Sequence, residues 1–254
     1  MALFTDGALN TLGELQAYDN RILDVASAEG LDVTAKSSLA QEQIGSKLLL
    51  FLRRNARRGP GVLSRNITVD EIVNTAPLKR WHAYETLSLI YQDAYNNQLN
   101  DRYQGKWKQY VELSNAAADT LFSVGVGTVS VPTPKASAPD ISIVPSGAAG
   151  TNYYACASWV NIRGEEGHAS DAVQVTTRNG FTAEISMTQA PKSVSAWNIY
   201  AGPAPELMSL QNTLPLSLTD IWTAPPTGFA AGRNPGTGQL PEHWITEQRL
   251  IPRG

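Results

Sequence analysis

Apolar side chains recur every three or four positions through residues 1–125 and at every second position in several stretches between residues 140 and 200. The first period belongs to amphipathic helices and the second to half-buried strands. Leu12, Leu15, Ile22, Val25 and Ala26 predict a helix that opens on a Thr11/Glu14 capping box and stops at Gly30. A second helix is predicted over residues 35–55, with Leu39, Ile44, Leu48, Phe51 and Leu52 along one side. It runs into Arg53, Arg54, Arg57 and Arg58 and then Gly59-Pro60-Gly61, through which no helix continues. Thr68-Val69-Asp70-Glu71 reads as another capping box, opening a short helical turn.

The strongest pattern runs through Trp81, Tyr84, Leu87, Tyr91, Tyr95, Leu99, Tyr103, Trp107, Tyr110, Leu113, Ala117 and Leu121. Its mean step is about 3.64 residues, the period of a straight α-helix. Pro77 fits the first helical position. A single helix over residues 77–122 would be roughly 69 Å long and would project from a domain of this size. Gly105 and Asn96-Asn97 weaken it, so a break there into two collinear helices is the alternative. Trp and Tyr at helical spacing most commonly belong to a core. They are also enriched at protein interfaces, where the ring is buried and the polar tip stays wet.

Short strands are predicted over residues 141–144, 152–160, 171–177, 181–188 and 197–200. Phe181, Ala183, Ile185 and Met187 alternate with Thr182, Glu184, Ser186 and Thr188 in the clearest of them. Such spacing predicts an all-β sandwich. Tyr153-x-Ala155-x-Ala157-x-Trp159-Val160-Asn161-x-x-Gly164, followed by Ser170, resembles the last two strands of a fibronectin type III domain. Trp197-Asn198-Ile199-Tyr200 resembles that family's central strand, although here it follows the last-strand motif instead of preceding it.

Composition sharpens the division. Residues 1–125 hold 27 charged side chains and two prolines, whereas residues 126–254 hold 16 and thirteen, which separates a helical part from a β part. The fold class expected is therefore α+β in two segregated domains. A helical bundle with one very long helix occupies residues 1–125 and a linker residues 126–139. An Ig-like or fibronectin-like sandwich spans residues 140–225, and an extended tail, residues 226–254, retains Trp244, Ile245, Leu250 and Ile251 for docking.

Chemistry is sparse. One cysteine, Cys156, excludes an internal disulfide framework and reads as a small buried apolar residue mid-strand. Neither a signal peptide nor an apolar run of membrane-spanning length is predicted. The three histidines, His82, His168 and His243, do not form a ligand set, and Glu165, Glu166 and His168 read as a polar turn. No nucleophile elbow, zincin helix, P-loop or dinucleotide fingerprint occurs. The reading is thus of a non-enzyme with no catalytic residue, cofactor or metal. The net charge of −3 argues against a general polyanion binder. Arg53, Arg54, Arg57 and Arg58 fit a solvated helix C-terminus or a contact with an acidic surface, and no aromatic residue is interleaved to stack bases.

Asp32-Val33-Thr34-Ala35-Lys36 through Leu48-Leu49-Leu50-Phe51-Leu52 carries a resemblance, and so does the run from Trp81 to Trp107, which includes Tyr91-x-Asp93-Ala94-Tyr95-Asn96-x-Gln98-Leu99-Asn100-Asp101-Arg102-Tyr103-x-Gly105-Lys106-Trp107. Together they resemble the head-to-tail connector (adaptor, or head-completion) proteins of tailed bacteriophages over about residues 1–125. The resemblance implies a virion structural protein, made in the host cytoplasm, forming a ring of about twelve copies. That ring would join the portal to a tail or nozzle protein and surround the DNA exit channel, with DNA as non-specific content and no membrane partner. It implies that Tyr95, Tyr103, Lys106 and Trp107, with Arg249, Leu250, Ile251 and Arg253 of the tail, meet a neighbouring subunit or the portal. Arg53, Arg54, Arg57 and Arg58 would supply portal- or channel-facing charge. The sandwich would hold a collar or fibre protein. The alternative is a neck fibre, collar or decoration protein with a receptor- or carbohydrate-binding sandwich.

Overall fold

A computed structural model describes residues 1–55, 67–98, 101–225 and 227–247. An N-terminal helical region precedes a β-sheet region, and the chain divides into two compact units that do not respect chain order. The helical unit takes residues 7–128 and the described residues from Pro241 on, whereas the β unit takes residues 1–6 and 129–240.

In the helical unit, α1 (Leu12–Tyr18) opens on the expected capping box: Glu14 N–H donates to Thr11 Oγ at 3.2 Å and Thr11 N–H to the Glu14 carboxylate at 2.8 Å. The single helix expected up to Gly30 is interrupted. The backbone is extended at Asp19, and α2 (Ile22–Glu29) starts afresh. Gly30 ends α2 in the left-handed conformation, φ 65°, as a C-terminal glycine should. Next come α3 (Val33–Asn55), a 3₁₀ turn (Val69–Glu71), α4 (Ala76–Gln98) and α5 (Gln104–Val124). Thr68 gives that turn no side-chain cap to a backbone N–H, so only the turn itself matches the expectation.

The very long helix over residues 77–122 does not form, and neither do two collinear ones. Tyr95 stacks on Trp107, Tyr91 on Tyr110, and Trp81 meets Phe122 edge-on, so the partner number rises as the other falls. α4 and α5 are therefore an antiparallel hairpin that closes its aromatic stripe on itself. Periodicity alone cannot distinguish these cases, because each arm of a hairpin keeps the same spacing. The break falls beside the poor helix formers Asn96-Asn97 and Gly105. Leu15, Ile22 and Ala26 of the first two helices complete the core against Leu87, Ile90 and Tyr110.

Residues 126–139 were expected as a linker, yet their first three form a strand, β1 (Val126–Thr128). It pairs antiparallel with β10 (His243–Ile245) from the region expected as tail. Gly127 is required there, because a Cβ would lie 2.9 Å from the Pro241 ring.

In the β unit, all five expected strands form: β2 (Asp140–Pro145), β3 (Asn152–Asn161), β4 (Val173–Thr176), β5 (Phe181–Ser186) and β6 (Val194–Gly202). Three short ones join them, β7 (Ser209–Leu210), β8 (Leu216–Ser217) and β9 (Trp222–Thr223). One sheet runs β2-β5-β9; the other runs β4-β3-β6-β7, with β8 also on β6. All these pairings are antiparallel. Trp159 lies opposite Trp197, and the alternate residues Tyr153, Ala155, Ala157 and Trp159 meet Ala183 and Ile185 of the other sheet in one apolar core. Among the described residues no helix is long and apolar enough to cross a membrane.

Candidate interaction surfaces

The turn end of the hairpin carries four residues singled out above. Tyr95 and Trp107, both half-buried, stack with ring centroids 5.6 Å apart. Tyr103 is only 5% exposed; it packs on Tyr91, and its hydroxyl donates to Glu29 at 2.8 Å. Its side chain is thus committed within the subunit, which removes it from an intersubunit contact in this conformation. Lys106 is exposed, 3.7 Å from Asp19 and over the Tyr110 ring.

Asp19 organises the interior beneath. Its carboxylate accepts hydrogen bonds from the hydroxyls of Tyr91 and Tyr110, each at 2.8 Å, and from Arg21 N–H at 3.0 Å. Burial acts to raise its pKa, but these donors and Lys106 together hold it below its ordinary value. His82, fully buried, receives a hydrogen bond from the Asn10 amide on Nδ1 at 2.8 Å, and its Nε2–H donates to the Ser37 carbonyl at 3.0 Å. That pattern requires the neutral ring, and burial lowers its pKa accordingly.

The open end of the hairpin holds a groove of about 670 Å³. Its floor is aromatic: Phe51 of α3 stacks on Phe122 of α5 at 4.4 Å, and Trp81 of α4 meets the same ring at 5.6 Å. Lys47 lies over Trp81 and pairs with Glu85 at 3.0 Å; Glu85 also accepts from Ser114, which ties α3 and α5 to α4. Leu50, 52% exposed, stands at the lip, and Arg54, Asp119 and Glu247 bring both signs of charge to the rim. Arg53 is exposed beside it. Arg57, Arg58, Arg249, Leu250, Ile251 and Arg253 lie outside the described residues. Trp81 and Tyr95 are 14 positions apart on α4, so groove and turn end are separated by roughly 21 Å along one rigid hairpin.

The β unit holds a cluster that sequence reasoning passed over. Glu166, expected in a polar turn, has a side chain only 13% exposed; it accepts from the Ser158 and Tyr200 hydroxyls and pairs with Arg233 at 2.5 Å. Burial acts to raise its pKa, but these partners hold it below its ordinary value. Glu165 accepts from Asn161 at 2.8 Å and from Gln239 at 3.0 Å. No local pattern announced this, because Arg233 and Gln239 lie some 70 residues further on in a Pro/Gly-rich stretch. Ser158 is fully buried, so the cluster fastens residues 233–239 to the sheet and exposes no nucleophile. His168 bonds to the Ala169 carbonyl and stands apart from it. Cys156 is buried, and its thiol is pushed up to about 12 by burial and then by Glu166, which keeps it unreactive. Among the described residues no group of three His, Cys, Asp or Glu side chains is arranged to hold a metal ion.

The chain matches no protein-family model, and no curated protein matches it.

Proposed function

We propose that the protein is a head-to-tail connector subunit of a tailed-phage virion. Its helical domain would pack in a ring of about twelve copies beneath the portal, and its second domain, an Ig-like or fibronectin-like sandwich, would face outward. The observation that carries this reading is the aromatic-floored groove at the open end of the α4–α5 hairpin, lipped by the exposed Leu50. An apolar anchor from another protein fits such a floor. A rim of both charge signs suits a protein surface better than a polyanion, which calls for one sign. A ring also needs two different patches on each subunit. The groove and the Lys106/Trp107 end of the hairpin, where Lys106 is exposed and Trp107 half-buried, are roughly 21 Å apart and provide a pair. In this reading Arg53 and Arg54 contact the portal or line the channel, and DNA is held without sequence readout. The tail or nozzle protein sits on the far side of the ring, and a collar or fibre protein is held by the sandwich.

Electron microscopy of a lysate from a phage carrying an early stop codon in this gene tests it. Separate tails and emptied heads are expected. Complete, DNA-filled, tailed particles would overturn the connector role. Leu50→Asp should leave helical circular dichroism unchanged, because the residue is already in water, and still give the stop-codon phenotype.

A further inference from the structure

We infer that the free edge of β2 pairs with the same edge of a second copy of this chain, antiparallel about a two-fold axis at Ser142. Among the described residues β2 is the longest strand at a sheet edge, six residues joined only to β5. It runs without a bulge, and Ile141-Ser142-Ile143-Val144 carries no charge. Charges and bulges are what usually keep such an edge from meeting another strand. Ser146 N–H donates to the Gly180 carbonyl at 2.9 Å, in line with the β2–β5 register. Hydrogen-bonded positions alternate along an antiparallel strand. Asp140, Ser142 and Val144 therefore bond to β5, and the N–H and C=O groups of Ile141 and Ile143 point away from it. None of these four outward groups is bonded to a described residue.

This edge is complementary to itself in one register. Pro139 and Pro145 hold the next outward positions on either side and have no N–H, so the outward donors of residues 139–145 are Ile141 and Ile143. With Ser142 opposite its own copy, Ile141 of each chain faces Ile143 of the other, and every outward N–H of these residues meets an outward carbonyl. A shift of two residues either way sets a proline opposite an isoleucine and leaves that carbonyl without a donor. The side chains agree. Ile141 and Ile143 lie opposite the buried Ile185 and Ala183 of β5, and beside the short Ala183 the Ile143 side chain stays 46% exposed. In the pair, Ile141 of the second copy stands next to Ile143 and covers it. On the outer face Asp140 meets Val144 and Ser142 meets itself, so no like charges are opposed. A strand from another protein would have to reproduce this spacing of donors, whereas a second copy supplies it.

The inference concerns the β unit alone and stands apart from the connector reading. Oxidative cross-linking of the purified full chain tests it. The pairing is small beside the roughly 1,200 Å² of stable complexes, and a covalent trap reads it even when the dimer is short-lived. Cys156 is buried, so an introduced thiol is the accessible one. Facing residues at these positions have Cα atoms about 4.5 Å apart, within reach of a disulfide. Ser142→Cys should therefore give a disulfide-linked dimer. Asp140→Cys should not, because its own copy lies roughly 13 Å away along the strand. A mixture of Asp140→Cys and Val144→Cys chains should cross-link to one another. A ring built through the helical unit has no reason to give this pattern. Ile143→Lys, at a half-exposed position, should leave circular dichroism unchanged and cut the Ser142→Cys yield roughly fivefold or more, because it sets a charge against Ile141 of the second copy. Absence of a Ser142→Cys dimer would overturn the inference. So would an equal yield from Asp140→Cys alone, mixed chains that do not cross-link, or a yield that Ile143→Lys leaves unchanged.

Discussion

Asp19 in the helical unit and Glu166 in the β unit each accept hydrogen bonds from two buried hydroxyls, yet they hold different things together. Asp19 sits where α1 gives way to α2 and takes Tyr91 from α4 and Tyr110 from α5, so it locks helices that already bury a shared core. Glu166 takes Ser158 and Tyr200 from neighbouring strands, but its ion pair reaches Arg233, in a stretch that has almost no regular structure. The first carboxylate is a keystone among packed elements; the second is the clasp of an arm. Removal of each should therefore be felt differently.

The largest effect is expected for Asp19→Ala. It leaves two buried tyrosine hydroxyls without an acceptor and should cost the helical unit about 3–5 kcal/mol, read as a shift of the helical circular dichroism transition in urea. Glu166→Gln keeps an acceptor, and Arg233 is half exposed, so after discounting for solvent the loss should be about 1–2 kcal/mol. Limited proteolysis should then show faster cutting within residues 227–240 and an unchanged pattern in α3–α5.

Acid sharpens the contrast. His82 is held below its ordinary value of 6.5, so between the two values only the unfolded chain carries the extra proton, and falling pH favours unfolding. The helical unit should start to lose stability below about pH 6.5, with Asp19 adding to the loss below its ordinary 3.8. The Glu166 contribution is present at neutral pH and is lost only as pH falls below 4.5 and through the lower folded value. His82→Asn should erase the early part of the helical transition and leave the Glu166 step in place. At the small end, Lys135–Asp171 is an ion pair whose carboxylate is 89% exposed, and Asp171→Asn should change stability by less than about 0.5 kcal/mol in a melting experiment.

Local chemistry was readable where one residue decides the outcome. Thr11/Glu14 and Gly30 mark helix ends through their own hydrogen bonds and backbone freedom, and period-two alternation together with runs of β-forming residues located the five principal strands. What escaped depends on distant pairing. The hairpin turn was hidden because its two aromatic faces continue one period, so the stripe that suggested a projecting, interface-bearing helix is largely satisfied by its own return arm. β1 and β10, three residues each, pair with one another across more than a hundred residues, and β1 also meets Ile72 and Val73. The Glu166 clasp rests on partners many residues away, which leave no local pattern. The Arg53/Arg54 end was readable as charge, but the aromatic floor beside it needed three helices to converge.

The exchange of short segments between the units has a consequence for synthesis. β10 belongs to the helical unit but follows the entire β unit in the chain. At roughly 5–20 residues per second, the helical unit waits about 6–23 s for its second strand after Thr128 has been made. During that interval the side of β1 that β10 will cover is open, and Glu247, which contributes to the groove rim, has not yet been synthesised. A nascent helical unit therefore lacks part of the surface proposed for assembly, and under the connector proposal subunits still on the ribosome would be kept out of the ring.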